Sequence, residues 1–569
     1  MSADIDPTEA IPQVTADMIA EATVRQAVSP AVEPTPPPRP RAGVPTARPA
    51  PLSATRPETS LARLPQAALS TPVVRGGSTA GESRVAPDER SRPLAEQPAA
   101  PPGEADTSAS VEPYGEGRAS AAQIATEHLS ALVQIPTVSS LDPQHMDHDA
   151  FTRHRAALAA FYPRVHALQS EPAGHHGLLY RWPGRGRQDV LHPYPVVLMA
   201  HQDVAPVVGA DWPENPFSGQ IRDGSVHGRG TLDDKGALVA VLDAVETLLH
   251  DGFEPERDIW LFFGADEETA GESARIAARR LYELGVRPWL VIDEGGAVVT
   301  EAFPGLDRPA ALIGVAEKGW IGVNLYTSDV GGHASTPGRL SATARLARAV
   351  VRVSRRRYAA RVDRPTIDML QRIAPEATGF KGMVLRVVTK VAAGPLNRLA
   401  ARVLAWSGPE ASAMVRTTVA ATELEGSPGA NVAAASARAH LDVRVALDGT
   451  VDRTVERLRR VIRDKKVEIE VVESHEPSEV SPADSQQFAL LSEALGASYP
   501  DAIVVPYVTL TATDARTFTP ISDHVYRFSP FAMTREQRQS VHGAGEYLSV
   551  DSLARGVHFY REVLRRLPR

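Results

Sequence analysis

Three short apolar runs, each stopping at acidic or histidine residues, constrain this chain more than any other feature. Residues 196–200 (VVLMA) lead into His201-Gln202-Asp203, and residues 259–265 (IWLFFGA) lead into Asp266-Glu267-Glu268. A third run, 289–293 (WLVID), ends on Asp293 and continues as Glu294-Gly295-Gly296. Helical patterns separate them at 237–250 (ALVAVLDAVETLLH) and 273–284. Buried-strand runs alternating with helices of this length predict an α/β fold built on a mainly parallel, twisted sheet flanked by helices. Open sheets of that kind bind ligands just beyond the carboxyl ends of their strands, where these polar clusters fall.

The rest of the chain divides by texture. Of its 47 prolines, 20 precede residue 119, and Tyr114 is the only aromatic residue in that stretch. A segment so poor in apolar surface cannot offset its ordering entropy, so residues 1–118 are expected to be a disordered, proline-rich tail. Residues 119–312 read as the first part of a catalytic domain. Residues 313–474 read as an inserted α+β lid or dimerisation domain, with strands at 321–328, 437–446 and 466–472 and helices at 342–354 and 452–463. Residues 475–569 are expected to return to the first sheet. The segment 355–425 is longer than a minimal lid needs, and its apolar stretches suit an acyl pocket or an interface.

Charge and residue usage narrow the function. A net charge of −8 and a pI of about 6.1 argue against an electrostatically driven nucleic-acid binder. No run approaches the roughly 18 apolar residues of a membrane-spanning helix. The first residues (MSADIDPTEAIPQV) lack the basic start and apolar core of a secretory signal, which leads us to expect a cytoplasmic protein. With no cysteine, any metal must be held by histidine and carboxylate.

His201 with Asp203 two residues on fits a metal-binding imidazole steered by a carboxylate. The segment 227–236 (HGRGTLDDKG) places paired aspartates at the start of a helix, and a short carboxylate such as Asp233 can bridge two cations. Three adjacent acids at Asp266-Glu267-Glu268 repel one another unless a cation or a proton relieves them. If Glu268 binds metal, Glu267 is free to act as a general base. His542, in 541–543 (VHG) with Glu546 nearby, adds a second imidazole. Taken singly, each cluster also fits a solvated strand end or an acidic helix cap. Their recurrence at successive strand ends favours a metal centre, and two histidines with several carboxylates match a two-zinc hydrolytic site.

The ordered motifs AHQDVAP (200–206), GRGTLDDKG (228–236), ADEETAG (265–271), DEGG (293–296), GGHAST (331–336) and HG with a trailing glutamate (542–546) resemble the di-zinc carboxypeptidase, aminoacylase and dipeptidase family. Through TLDDKG and DEGG the chain looks closest to the branch of carboxypeptidase S and the N-acyl-amino-acid hydrolases. The resemblance covers about 120–569. It implies two zinc ions, although the same donors suit Mn²⁺ or Co²⁺. His201 would hold one zinc with Asp203 orienting it, and Asp233 would bridge both metals across a cis Asp233–Asp234 peptide. Glu267 would be the general base, with Glu268 and His542 on the second zinc. Family members differ on whether the remaining ligand corresponds to Asp293 or Glu294, with Glu294 slightly preferred here.

The resemblance extends to the inserted domain. His333 corresponds to a lid histidine that polarises the scissile carbonyl, often across a homodimer. Asn431, Arg444 and Arg516 correspond to, or suit, contacts to the substrate carboxylate and oxyanion. The implied reaction is hydrolysis of an amide or peptide bond beside a free carboxylate, in a small peptide or an N-acyl amino acid. A dipeptidase or aminopeptidase would instead need an acidic residue placed for a free amino terminus. A metal-binding pseudoenzyme scaffold would lack a base or a ligand, and none is missing.

Overall fold

The apolar runs become central strands because they carry no polar side chain on either face, as a sheet covered by helices on both sides requires. The computed structural model describes residues 120–568, apart from 186–190, 192–193, 208–211, 270, 301–302, 304 and 428. The expected tail at 1–118 lies outside the described residues.

Ten strands make the first sheet. They are β1 (Gln169–Ala173), β2 (Gly177–Trp182), β3 (Val196–His201), β4 (Ile259–Gly264) and β5 (Leu290–Asp293). β6 (Ala297–Val299), β7 (Ala310–Glu317), β8 (Ile503–Thr509), β9 (Val525–Arg527) and β10 (Ala532–Met533) complete it. The order across the sheet is β1-β2-β4-β3-β5-β9-β7-β6-β10, with β8 pairing β7. β3 runs parallel to both β4 and β5, with Val196 opposite Ile259 on one side and Leu290 on the other. That shared register brings the residues after all three strands to one edge. β9 is parallel to β5, and β8 is parallel to β7. Three strands of the C-terminal segment, β8, β9 and β10, lie in this sheet.

Helix α1 (Ala121–Val133) starts where the Ser120 hydroxyl accepts from the Gln123 amide. Helix α2 (Lys235–His250) is buried along nearly its whole circumference from Lys235 to Glu246, because α1 and the terminal helix Val550–Arg565 pack on it. Helix α3 (Glu272–Glu283) covers the opposite face of the sheet with Ala274, Ala277 and Leu281.

After β7 the chain passes through buried Lys318 into a separate four-stranded antiparallel sheet. Its strands, in spatial order, are Thr418–Glu425, Ser436–Val445, Gly319–Ser328 and Val467–His475. Residues 436–445 alternate strictly between buried and less buried, as a sheet with one covered face demands. Helices Ala342–Arg355 and Val451–Ile462 supply Leu346, Val353, Leu458 and Ile462 to the core beneath it.

The expected 313–474 unit does not coincide with this second sheet. Its boundary at 313 runs through β7, a strand of the first sheet. Three helices from the same range, α4 (Arg364–Ile373), α5 (Gly379–Ala392) and α6 (Asn397–Leu404), bury Met369, Ile373, Val388 and Ala401 in the first core. Their apolar stripes match the surface beside β8, against which α4 packs.

A fully buried ion pair ties β7 to β9. Arg527 Nε donates to Glu317 Oε1 at 2.5 Å, and the Glu317 carboxylate also accepts from the Thr513 amide (3.2 Å) and hydroxyl (2.8 Å). Removing one partner strands a charge in the core, at a cost of about 3–5 kcal/mol. Arg527→Met is therefore expected to lower the unfolding free energy by about that much in urea titrations. A loss below about 1 kcal/mol, the scale of an exposed pair, would contradict the pair's structural role.

Candidate metal centre

The edge where β3, β4 and β5 end gathers most of the acidic residues singled out in the sequence. His201 closes β3 and is buried. Its Nδ1 lies 2.9 Å from the Asp203 carbonyl oxygen and 3.3 Å from Asp203 Oδ1. Its Nε2 faces Asp233 Oδ1 at 3.0 Å. The Asp203 carboxylate also accepts from the backbone amides of Glu267 (3.2 Å) and Glu268 (3.1 Å). One buried side chain thus orients the imidazole and the turn after β4 together.

Asp233 sits between two donor groups. His201, Asp233 and Glu294 present ligand atoms within 4.8 Å of one another, and so do Asp233, Glu268 and His542. His542 Nε2 lies 3.0 Å from Asp233 Oδ2 and 3.1 Å from Glu268 Oε2. The Asp233–Asp234 peptide is cis, as the resemblance implied. Asp234 turns inward, and its Oδ2 accepts from the His201 amide at 3.2 Å.

Asp293 and Glu294 part company. Buried Asp293 accepts from the Ala515 amide at 2.7 Å and belongs to neither donor group, whereas Glu294 joins the His201 group. Glu267 lies among the carboxylates without being a member of either group.

The electrostatics follow from crowding. Burial, reinforced by Asp233, Asp234, Glu267 and Asp293, pushes Glu294 well above the usual carboxylate range. Burial likewise raises Glu267 far above its ordinary value; His201 opposes the shift, and Asp514, Asp233 and Glu268 reinforce it. Asp293 is pushed up to about 6, by burial first. Asp233 moves the other way, because hydrogen bonds from His201 and His542 outweigh its burial. His542 is pushed up to about 10, chiefly by its bonds to Asp233 and Glu268. Negative groups outnumber the two imidazoles, and the donors are imidazole nitrogen and carboxylate oxygen. That set fits a pair of divalent cations sharing Asp233.

Several supporting residues carried no role in the sequence reading. Glu546 is fully buried and accepts from the amides of Gly230, Leu232 and Asp233, while Arg229 Nη1 donates to it at 2.7 Å. It thereby holds the loop that presents Asp233. Gly230 in that loop has φ +88°, and a Cβ there would stand 2.6 Å from Val204 Cγ1. Lys235 is buried and donates to the carbonyls of Leu132 and Ile135, and its burial brings its ammonium down to about 7. Asp514, buried beside Glu267 with its carboxyl well above the ordinary range because of burial, was overlooked next to Arg516 in TATDAR. Gly264 and Gly271 make room for it, since a Cβ at either would meet its carboxylate within 2.8 Å.

Three of the remaining expected residues lie apart. His333 is exposed on a two-residue ribbon, Gly332–His333 paired with Val432–Ala433, and Asn431 accepts from the Ala334 amide beside it. Arg444, on the second sheet, is paired with Asp442 at 2.9 Å. Among the described residues, no hydrogen bond or ion pair joins these three to the acidic cluster. Arg516 follows Asp514 and lines a cleft with Arg275, Arg279 and His475.

Known proteins resemble this chain in sequence and in fold. The model of peptidase family M20/M25/M40 matches residues 197–566. A probable carboxypeptidase S-like 2 of Dictyostelium discoideum is 32% identical, covering 73% of this chain and 79% of its own. The human N-fatty-acyl-amino acid synthase/hydrolase PM20D1 is 30% identical, covering 77% and 87% respectively. Human carnosine dipeptidase 1 has the same fold, with a TM-score of 0.57 at 16% identity over 78% of this chain and 97% of its own. With its strand-end histidine and carboxylates arranged as described, the chain belongs to peptidase family M20/M25/M40 and is a hydrolase of the branch that includes carboxypeptidase S-like proteins and N-fatty-acyl-amino acid hydrolases.

Proposed function

We propose that this chain hydrolyses an amide or peptide bond beside a free carboxylate, in an N-acyl amino acid or at the C-terminal residue of a small peptide. The observation that carries the reading is Asp233, shared between two donor groups, with Glu267 beside both of them. His201, Asp233 and Glu294 would hold one divalent ion, and Asp233, Glu268 and His542 the other, with zinc the proposed metal. When bound, such a pair supplies a Lewis acid and makes water a better nucleophile at neutral pH.

The protein's own groups do the rest. Glu267 takes the proton of the attacking water and returns it to the leaving amine nitrogen. Its elevated proton affinity suits that shuttle, and Asp203 fixes its backbone by accepting the Glu267 amide. Asp293 stays out of the donor groups and anchors the 514–518 turn through Ala515. Arg516, next to Asp514 on that turn, is the favoured partner for the substrate carboxylate, since Arg444 is already engaged by Asp442. His333 and Asn431 are assigned to the carbonyl oxygen, reached by movement of the second sheet or supplied by a second copy in a homodimer. The names of the carboxypeptidase S-like and N-fatty-acyl-amino acid relatives favour a carboxylate-bearing substrate over a free amino terminus.

Two outcomes test the reading. Glu267→Gln should lower kcat on N-acyl amino acids by about 10³-fold while two metals per chain are retained; full activity in that variant would refute the base assignment. The second test concerns protons. In the metal-free chain burial disfavours a charged His201, but Asp203 and Asp233 outweigh it, and His542 holds its proton up to about pH 10. Binding metal would displace the protons that these carboxylates favour on the two imidazoles. Zinc titration at pH 7 should show a binding enthalpy that varies with the buffer's ionisation enthalpy, and affinity should fall as pH drops. An enthalpy independent of buffer would rule out these two ligands.

A further inference from the structure

Helices α5 and α6 each carry two apolar stripes, and only one of the two is buried. On α5, Val388 and Ala392 join the first core, while Phe380, Met383, Val384 and Val387 repeat at helical spacing on the exposed side. On α6, Ala400 and Ala401 are buried, and Leu396, Leu399, Val403 and Trp406 form a second exposed stripe running just past the helix. Both helices pack on the same core and on each other, so both free stripes face away from the body of the protein. Phe380 is 75% exposed and Trp406 93%. Scattered surface residues need no account, but two adjoining stripes of large side chains mark an interaction surface.

The charges identify the occupant. Residues 377–409 contain Lys381, Arg386, Lys390, Arg398 and Arg402 and no aspartate or glutamate, in a chain whose net charge is −8. All five are exposed around the stripes. A second copy would bring the same five cations to the contact, which repel. Tryptophan, phenylalanine and leucine on one face with lysine and arginine at its margin is the pattern of a helix lying in a lipid interface. At 14 and 8 residues, these helices are too short to cross a bilayer, and no helix of the described residues is long and apolar enough to do so.

We propose that the α5–α6 hairpin is a peripheral docking surface for an anionic lipid bilayer. Its apolar stripes enter the headgroup region and Lys381, Lys390, Arg398 and Arg402 meet lipid phosphates and carboxylates, while Arg386 donates to the Ala374 and Ala377 carbonyls. The inference is independent of the hydrolytic reading.

Sedimentation of the full chain with vesicles tests it. The protein should bind vesicles of phosphatidylcholine mixed with phosphatidylserine, bind phosphatidylcholine alone much more weakly, and be released by added salt. Phe380→Ser with Trp406→Ser, and separately Lys381→Glu with Arg398→Glu, should each weaken partitioning by at least about tenfold. All four positions are exposed, so both variants should melt at the wild-type temperature. No binding to the mixed vesicles overturns the proposal. So does equal binding of wild type and both variants, or a dimer in light scattering that Phe380→Ser with Trp406→Ser converts to monomer.

Discussion

Repulsion among buried carboxylates is the constraint on which the rest of the molecule depends. Asp233, Asp234, Glu267, Glu268, Asp293, Glu294 and Asp514 converge where β3, β4 and β5 end, against only two imidazoles. Left in water these side chains would separate. Held together and buried, most can be accommodated only by taking up protons or by accepting cations. The same crowding that suits the edge to cations raises the proton affinity of Glu267, which suits the proposed role of general base.

Holding such a cluster needs a rigid surround, and the structure supplies one for each element that enters it. Asp203 ties the end of β3 to the turn after β4. Glu546 and Arg229 clamp the loop that carries Asp233. Glu317, Arg527 and Thr513 fix the turn that brings Asp514 and Arg516 to the edge. Hydrogen bonds to charged groups of this kind contribute about 1.5–3 kcal/mol each. Their more specific effect is positional, because a buried charge with satisfied partners has one low-energy placement.

The second sheet and the α4–α6 segment differ in what they offer. The second sheet carries Arg444, and the small ribbon at Gly332–His333 carries His333 with Asn431 beside it, all set apart from the acidic cluster, so in the proposed reading they would act only after relative movement or assembly. The helices α4–α6 instead extend the first core, and two of them leave a basic, apolar face outward.

Local pattern made the central strands and the helices around them legible, because uninterrupted apolar runs and 3.6-residue periodicity are properties of neighbouring residues. It also singled out His201, which closes β3, and Glu268, which follows β4, at one edge of the sheet, together with Asp233 and His542 on loops that the sheet's strand ends do not supply. Pairings across long stretches of chain were not legible. Arg229 and Glu546 are 317 residues apart, and nothing local to either predicts the other. The membership of Glu294 rather than Asp293 in the His201 group depends on the direction each side chain takes as it leaves β5. The packing of α4–α6 on the first core was likewise hidden, because an apolar stripe does not name the surface that covers it. By itself the sequence determined which segments are strands and helices and which residue types stand at their ends. Only the tertiary structure decided which carboxylates meet, since that depends on long-range closure that brings distant loops to one edge.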